Sequence, residues 1–327
     1  MKIGKLSEAV LDRAVFKLIR HRRSEVVLRP GIGLDCAGLV FEPDEMIVMS
    51  TDPITGAAKD IGTLAVHITA NDLATNGAEP VGIMITALLP QRLSESKFKV
   101  IMKDIEEVCK QLNMEVIGGH TEVTDVVNSP VISVTGVGKL KKDKMLSPKN
   151  IQPGYEIVMT KYAGLEGSAI LSASKEEELK ERYPAYIIDN AKAFINEISV
   201  VKDSKIAMEH GAVFMHDVTE GGIFGALWEV AGAARMGLRV DLKKIPIRQE
   251  TVEICEYFDI NPYMLISSGS MLIVTEHGNA MVEALMENGI NAAVIGKLTE
   301  GNDRIIVNGE ETRFLESPSC DELYKAK

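Results

Sequence analysis

Short apolar runs with the length of β-strands alternate with amphipathic, helix-like runs along almost the whole sequence. In the first half, strand-like runs occupy residues 46–50, 83–89, 114–117 and 131–137. Between them, apolar residues recur at helical spacing in 61–68 and in 98–112, the second stretch behind Ser94 as a predicted helix cap. Such alternation is typical of chains that layer helices against sheets. The sequence therefore predicts an α/β fold, in the broad sense that includes α+β.

The second half repeats this pattern after a break. Predicted strands fall at 157–160, 213–215, 238–241, 271–275 and 292–296, and predicted helices at 164–174, 187–210 and 222–235. The break is the segment 139–154, which carries five lysines, two prolines and a closing glycine. We therefore expect two domains, residues 1–145 and 146–327, with an amphipathic docking helix over 7–20 at the start of the first.

Charge and cysteine usage exclude several classes of protein. Lysine and arginine total 36 against 47 aspartates and glutamates, so the net charge is −11. A chain this acidic, without a basic stripe, is poorly suited to binding nucleic acid or anionic lipid. The four cysteines form no C-x-x-C pair, and the longest apolar run, 81–89, is far shorter than the roughly 20 residues of a membrane span. We expect a cytoplasmic protein.

Three aspartates stand out in the first half, where the usual phosphate-binding motifs are missing. Asp35 lies in the glycine-bracketed segment 31–38, and Asp52 ends a strand-like run. Asp72 continues the apolar stripe of the preceding helix, so it falls on a face that should be buried. Buried carboxylates need a partner or a metal ion, and clustered carboxylate oxygens suit Mg²⁺. Each acid taken alone also fits a surface, cap or turn residue.

Two further segments combine glycines with polar residues. Gly118–Gly119–His120–Thr121–Glu122 follows a short strand, and His120 could ligate metal, donate a proton or simply be a satisfied loop histidine. The segment 216–222, HDVTEGG, opens a predicted helix whose amino end would favour an anion, with Asp217 as a further metal ligand. Plain helix capping by Asp217 or Thr219 is the alternative interpretation.

Five motifs, taken in order, resemble one superfamily. They are GIGLDCAG at 31–38, STDP at 50–53, ITANDLATNGAEP at 68–80, GGHTEVT at 118–124 and HDVTEGGIFGALWEVA at 216–231. The superfamily includes aminoimidazole ribonucleotide synthetase (PurM), the hydrogenase maturation factor HypE, selenophosphate synthetase and thiamine monophosphate kinase. The resemblance covers nearly the whole chain. It implies a two-domain PurM/HypE-like fold whose N-terminal domain pairs with its twin in a homodimer, and ATP with Mg²⁺ bound in a cleft.

The resemblance also implies roles for particular residues. Asp35, Asp52 and Asp72 match the metal-binding acids, and Asn71 accompanies Asp72 in the nucleotide-contacting helix. Asp217 matches an acid of the second domain that faces the phosphates.

The glycine-rich segment 118–122 falls on the phosphate-side loop of the superfamily. Gly118, Gly119, His120 and Thr121 are then expected to position the nucleotide. His120 and Glu122, together with Asp217, are the candidates for catalysis.

Within the superfamily, the segments 71–80 and 217–231 look most like HypE. HypE uses a cysteine at its carboxyl end to carry a carbamoyl group, which ATP-dependent dehydration converts to a cyano group. Here the last cysteine, Cys320, is followed by seven residues, so the acceptor stays open. We expect a Mg²⁺-dependent, ATP-using enzyme that activates an amide or carbamoyl-like acceptor, with a maturation protein as a candidate partner. Two alternatives remain: the activity of another superfamily member, or a noncatalytic nucleotide-binding regulator.

Overall fold

The computed structural model describes residues 1–55, 60–317 and 320–326. Internal contacts divide the chain into two compact units: unit 1 contains residues 1–74 and 78–145, and unit 2 contains residues 75–77 and 146–327. Each unit combines a largely antiparallel sheet with helices, which confirms the predicted mixed α/β class in its α+β form. Among the described residues, no helix has both the length and the apolar character needed to cross a bilayer.

Unit 1 is built on a five-stranded sheet. Its elements are β1 (Gly4–Lys5), α1 (Glu8–Leu11), β2 (Val26–Leu28), β3 (Gly38–Leu39), β4 (Glu45–Ile54), α2 (Ile61–Thr75), β5 (Glu79–Pro90), α3 (Glu95–Gln111), β6 (Glu115–Thr124) and β7 (Val131–Lys141). The strand order is β1–β6–β5–β7–β4, with β5 and β6 parallel and the other neighbours antiparallel. Strands β2 and β3 form a separate pair.

The two long helices of unit 1 hold the site residues in place. The Ser94 hydroxyl accepts the Lys97 N–H at 3.3 Å and starts α3, as the sequence predicted. Helix α2 is buried on nearly all sides. A side chain at Gly136 of β7 would lie 2.4 Å from Thr69 of α2, so this glycine lets helix and sheet approach closely. The helix that carries Asp72 is therefore a rigid support.

Unit 2 contains a seven-stranded sheet with helices around it. Its elements are β8 (Glu156–Thr160), α4 (Leu165–Ser174), α5 (Glu176–Lys180), α6 (Ala185–Ala193), α7 (Val201–Glu209), β9 (Ala212–Asp217), α8 (Gly222–Ala234), β10 (Gly237–Asp241), α9 (Gln249–Tyr257), β11 (Met271–Thr275), α10 (Gly278–Glu287), β12 (Ala292–Thr299), β13 (Arg304–Asn308) and β14 (Glu311–Phe314). The strand order is β14–β13–β10–β12–β8–β11–β9. A 3₁₀ turn, Glu322–Tyr324, follows the sheet.

Several boundaries predicted from the sequence are wrong, and strand pairing explains two of them. All ten residues of β4 pair with β7, so Asp52 lies inside the strand instead of after its end. The segment 118–122, predicted as a loop, is paired with β5 and lies inside β6. The predicted helix 187–210 is two helices, because a 3₁₀ turn with the buried Phe194 separates α6 from α7. The predicted helix 7–20 ends early, in a π-helical turn at 12–16.

Candidate functional site

Ser50 joins two of the predicted acids of unit 1. Ser50 and Asp52 lie two residues apart on β4 and share one of its faces. The Ser50 hydroxyl forms a short hydrogen bond to Oδ2 of Asp72 on α2, and it lies 3.4 Å from Oδ2 of Asp52. A hydroxyl has one proton to donate, so it cannot fully satisfy both carboxylates at once. The arrangement leaves two half-buried carboxylates turned toward one small polar group.

A row of paired residues crosses the sheet from this pair toward β6. Asp52 pairs with Val134, Val134 with Ile85, and Ile85 with Gly119. Gly119 has a φ of +145°, and a Cβ built on it would lie 2.0 Å from the Ile85 carbonyl oxygen. Only glycine fits this contact between backbones. Gly119 is therefore required by the close packing of β6 against β5, independently of any role in binding phosphate.

The remaining polar residues of β6 are partly accessible. His120 Nε2 lies 3.4 Å from Glu122 Oε2, and both side chains are 41 % exposed. Residues two apart on a strand share a face, so this pair lies on one side of the sheet and Thr121 on the other. Asn71, beside Asp72 on α2, is fully buried. The predicted roles of Asn71, Gly118, Gly119, His120, Thr121 and Glu122 in binding or catalysis stay predictions.

Asp35 is not part of the pair joined by Ser50. It is exposed, in the loop between the Gly31–Leu34 bridge and β3. Its neighbour Cys36 is exposed as well. Within residues 1–55, 60–317 and 320–326, no three His, Cys, Asp or Glu side chains gather closely enough to hold a metal ion. Of the predicted metal ligands in unit 1, Asp35, Asp52 and Asp72, the structure brings Asp52 and Asp72 together around Ser50.

Asp217 is the last residue of β9 in unit 2, where His216 and Glu229 accompany it. The side chain of Asp217 is 10 % exposed, and among the described residues its Oδ2 has no hydrogen-bond partner. His216 donates through Nδ1 to the Asp217 carbonyl at 2.7 Å, and its Nε2 lies 3.2 Å from Glu229 Oε2 on α8. Burial disfavours the imidazolium, but bonds to Asp217 and Glu229 outweigh it and raise the pKa of His216 to about 10. His216 therefore supplies a positive charge beside Asp217.

Two further carboxylates of unit 2 lie near Asp217, and the sequence interpretation missed both. Glu166, in the first turn of α4, is 3 % exposed, and burial raises its pKa to about 7 against the effect of its hydrogen bonds with Ser268. The charges of Asp321 and Asp217 raise it further. Asp321 is 4 % exposed, and its Oδ2 accepts the Gly221 N–H at 2.7 Å, at the start of α8. A glutamate between two glycines, in 164–167, was the available signal for Glu166; no local signal marks Asp321.

Each unit thus presents carboxylates on a mixed α+β scaffold, which defines a two-domain protein with an acidic site in each domain. The chain belongs to the AIR synthase related protein family: the N-terminal domain of that family matches residues 33–140, and its C-terminal domain matches residues 152–308. This confirms the resemblance found in the five motifs.

Individual relatives are distant but similar in length. A putative hydrogenase expression/formation protein of Methanocaldococcus jannaschii is 29 % identical, over 94 % of this chain and 94 % of the relative. The carbamoyl dehydratase HypE of Rhizobium leguminosarum bv. viciae is 26 % identical over 81 % of this chain and 77 % of the relative. These similarities agree with the HypE-like character of the motifs.

Solved structures show the same fold. The hydrogenase maturation protein HypE in complex with ATP superposes with a TM-score of 0.81 at 20 % identity, covering 98 % of this chain and 97 % of that one. The HypE–HypF complex gives a TM-score of 0.73 at 23 % identity, over 83 % of this chain and 90 % of that one. At such low identities the likeness establishes the fold.

Proposed function

We propose that this chain is a Mg²⁺-dependent, ATP-using enzyme of the HypE type that activates an amide or carbamoyl-like acceptor. The observation that carries the proposal is the pair Asp52–Asp72 around Ser50 in unit 1. Two carboxylates at about 4 Å repel each other by about 4 kcal/mol at a surface-like dielectric. A divalent cation offsets this repulsion, and carboxylate and hydroxyl oxygens are the ligands that Mg²⁺ prefers. A relative named carbamoyl dehydratase and a HypE structure with ATP support the same activity.

The residues have distinct roles in this proposal. Asp52 and Asp72 would hold the cation, and the further ligand roles of Asp35 and Asp217 rest on the resemblance to the superfamily. A cation held there would supply positive charge against that of the phosphates. Asn71 and the segment 118–121 position the nucleotide. His120 and Glu122, proposed for proton exchange with the acceptor, are accessible to solvent on the face of β6 opposite that of Asp52.

Cys320 is the candidate carrier of the acceptor. Its thiol is exposed, and it directly precedes Asp321, which is bound to the start of α8. A thiol at this position can reach solvent while its backbone stays attached to unit 2. This fits a carrier better than a structural cysteine such as Cys109 or Cys255, both of which are buried.

Turnover and binding together test the proposal. ADP release from ATP is measured with Mg²⁺ and carbamoyl-type acceptors, alongside binding of a nonhydrolysable ATP analogue. Cys320→Ser should stop acceptor-dependent turnover and leave nucleotide binding unchanged, whereas Cys36→Ser, which replaces another exposed thiol, should change neither. ATP binding without turnover under any acceptor would instead identify a noncatalytic nucleotide-binding protein. Turnover that survives Cys320→Ser would exclude the carrier role and favour another acceptor of the superfamily.

Unit 1 also offers a surface for the proposed homodimer. Ile47 and Met49 lie on the outward face of β4 and are 56 % and 61 % exposed. Strand β4 is an edge of its sheet, and exposed apolar edge strands invite pairing with another chain. Light scattering should show a dimer, and Met49→Lys should shift it toward the monomer. A HypF-like maturation protein is the proposed protein partner, on the basis of the HypE–HypF complex.

A further inference from the structure

The strand β14, Glu311–Phe314, forms one edge of the seven-stranded sheet in unit 2. It pairs with β13 on one side, and in the described part of the chain no strand pairs with its other side. All four of its residues are exposed, Phe314 by 68 %. The unpaired backbone of an exposed edge strand is a template on which another strand can be added. The sheet of unit 2 can therefore be extended at β14.

The pairing of β14 with β13 determines which of its backbone groups face outward. The Leu315 N–H donates at 2.7 Å to the carbonyl of Arg304, which the register of the two strands places opposite it. Opposed residues of an antiparallel pair alternate between those that exchange backbone hydrogen bonds and those that do not. Leu315 and, two residues earlier, Arg313 therefore direct their backbone groups toward β13. The N–H and C=O groups of Thr312 and Phe314 point away from the sheet, where they can bond to an added strand.

The side chains of β14 carry opposite charges at strand spacing. Glu311 and Arg313 lie two residues apart, so they share one face of the strand, and both are exposed. The Arg313 guanidinium lies over the Phe224 ring, with its carbon 5.6 Å from the ring centroid. A groove of about 410 Å³ adjoins both charged residues, with Leu242 and Ile306 in its lining. Side chains of an added strand therefore have room beside both charges.

A second copy of β14 matches this edge in one antiparallel register. When the two strands are centred on Thr312, the two Thr312 residues exchange their outward backbone hydrogen bonds, and each Glu311 lies opposite Arg313 of the other copy. These flanking pairs are the closer kind, with Cα atoms about 4.5 Å apart, and opposite charges at such positions stabilise a sheet. Phe314 then lies diagonal to Thr312 of the other copy, within reach of an aromatic side chain. The strand is therefore complementary to itself.

The charges also exclude the neighbouring register. Centring the strands on Arg313 would pair the outward groups of Thr312 with those of Phe314, but it would set two guanidinium groups directly opposite each other. Like charges at such positions destabilise a sheet. An extended segment of another protein would have to present a base and an acid in the matching order, which a second copy of β14 already supplies. Charge complementarity therefore favours a second copy in the register centred on Thr312.

We propose that β14 is a self-association surface, on which a second copy of this chain adds its own β14 in the register centred on Thr312. The contact is isologous, because each copy contributes the same residues. It uses none of the residues of unit 1 offered for the homodimer, so it adds a second association step. Strands of four residues form few bonds, so this step is weak and needs high protein concentration. The inference is independent of the proposed ATP-dependent activity.

Charge reversal tests the register in the full chain. Glu311→Arg leaves two basic residues on the strand and Arg313→Glu leaves two acidic ones, so neither variant can pair with itself in this register. An equimolar mixture of the two variants restores both opposite-charge pairs. Thr312→Pro removes an outward N–H and leaves the backbone bonds of Glu311 and Arg313 to β13 in place. Glu287→Arg makes the same charge change at an exposed position of α10 and is the matched control.

Sedimentation velocity at increasing protein concentration measures the association, and circular dichroism checks that each variant folds. The wild type should show a concentration-dependent step that Met49→Lys leaves intact, since that variant weakens only the surface of unit 1. Glu311→Arg and Arg313→Glu should each weaken this step at least about tenfold. Thr312→Pro should weaken it as well. The equimolar mixture of the two charge variants should recover the step, and Glu287→Arg should behave as the wild type does.

Four results would each overturn the inference. A wild type without the step excludes a second copy as the occupant of β14, and a step that Met49→Lys abolishes belongs to unit 1. Single charge variants that associate like the wild type contradict the register centred on Thr312. A mixture that associates as weakly as its folded components shows that the charges do not face each other between copies. If the charge variants do not fold, Thr312→Pro decides alone, and normal association of this variant removes β14 as the surface.

Discussion

Unit 1 and unit 2 both gather carboxylates, but they bury them to different depths and satisfy them differently. In unit 1, Asp52 and Asp72 are half-buried and share the Ser50 hydroxyl. In unit 2, Glu166, Asp217 and Asp321 are almost fully buried and are balanced by His216 and by backbone amides. Half-buried oxygens can exchange water for a cation at little cost, whereas buried ones must find protons or fixed partners. We infer that the unit 1 pair is the better ligand set for a cation and the unit 2 group the better holder of protons.

The largest expected effect tests the role given to unit 1. Asp72→Ala should weaken Mg²⁺-dependent binding of an ATP analogue about 1000-fold, equivalent to about 4 kcal/mol, because it removes one of the two assembled carboxylates. Titration calorimetry with and without Mg²⁺ measures this, and circular dichroism checks the fold. Asp125→Ala, which removes an exposed acid of the same unit, is the control and should bind normally. Normal binding by Asp72→Ala would end the metal assignment and with it the contrast between the units.

The second prediction concerns the cost of burying Glu166 in unit 2. Its pKa is about 7 in the folded chain, against an ordinary value of 4.5 for a glutamate. A carboxyl group whose pKa is raised by folding contributes to the unfolding free energy. This contribution is fully present below about pH 4.5 and is lost as the pH rises through 7. The unfolding free energy of Glu166→Gln, relative to the wild type, should therefore increase by on the order of 3 kcal/mol between pH 4 and pH 8.

Urea unfolding followed by fluorescence reports on unit 2 directly, because the single tryptophan, Trp228, lies on α8. Glu283→Gln, on an exposed position of α10, should give no such pH-dependent difference. A Glu166→Gln difference that stays flat across this pH range would mean that Glu166 is accessible to water like the acids of unit 1, and the two sites would no longer differ in kind.

The third prediction concerns protonated His216, which supplies the positive charge beside Asp217 in unit 2. Glu229→Gln removes one of the two carboxylates that raise the pKa of His216, and Glu229 is itself more than half exposed. We expect a loss of about 1 kcal/mol or less at pH 7, since exposed ion pairs contribute little. The pKa of His216 is raised, so this stabilisation is present below about pH 6.5 and is lost as the pH rises through about 10. An NMR titration should show a lower His216 pKa in the variant; an unchanged pKa would contradict the pairing.

The sequence predicted much of unit 1 and little of the unit 2 site, for a physical reason. Periodicity gives local structure, so the strands, the Ser94 cap and helix α2 were predictable, and so was the placing of Asp72 on the inner side of its helix. Ser50 was missed because a strand hydroxyl has no local signature. Glu166 and Asp321 come together only through packing between residues more than 150 positions apart, which periodicity cannot report. The register that sets Gly119 against Ile85 likewise depends on the pairing of β5 with β6.

The smallest expected effect tests whether Mg²⁺ can replace the Ser50 hydroxyl as the partner of Asp52 and Asp72. Ser50→Ala removes the hydroxyl shared by Asp52 and Asp72 and should destabilise the metal-free chain by less than about 1 kcal/mol, the worth of one partly exposed hydrogen bond. If Mg²⁺ bridges the same carboxylates, it replaces the lost proton donor, and the deficit should shrink as Mg²⁺ is added.

The neighbouring residue provides the control for this last measurement. Thr51 lies on the other face of β4, and its hydroxyl bonds to Thr135 at 2.9 Å. Thr51→Val therefore also removes one strand hydroxyl, but on the face of β4 opposite Ser50 and Asp52, and its deficit should not respond to Mg²⁺. Equal responses of the two variants in thermal unfolding with and without Mg²⁺ would place the cation elsewhere. A response confined to Ser50→Ala would support a cation held by Asp52 and Asp72, because the hydroxyl that this variant removes contacts both of these carboxylates.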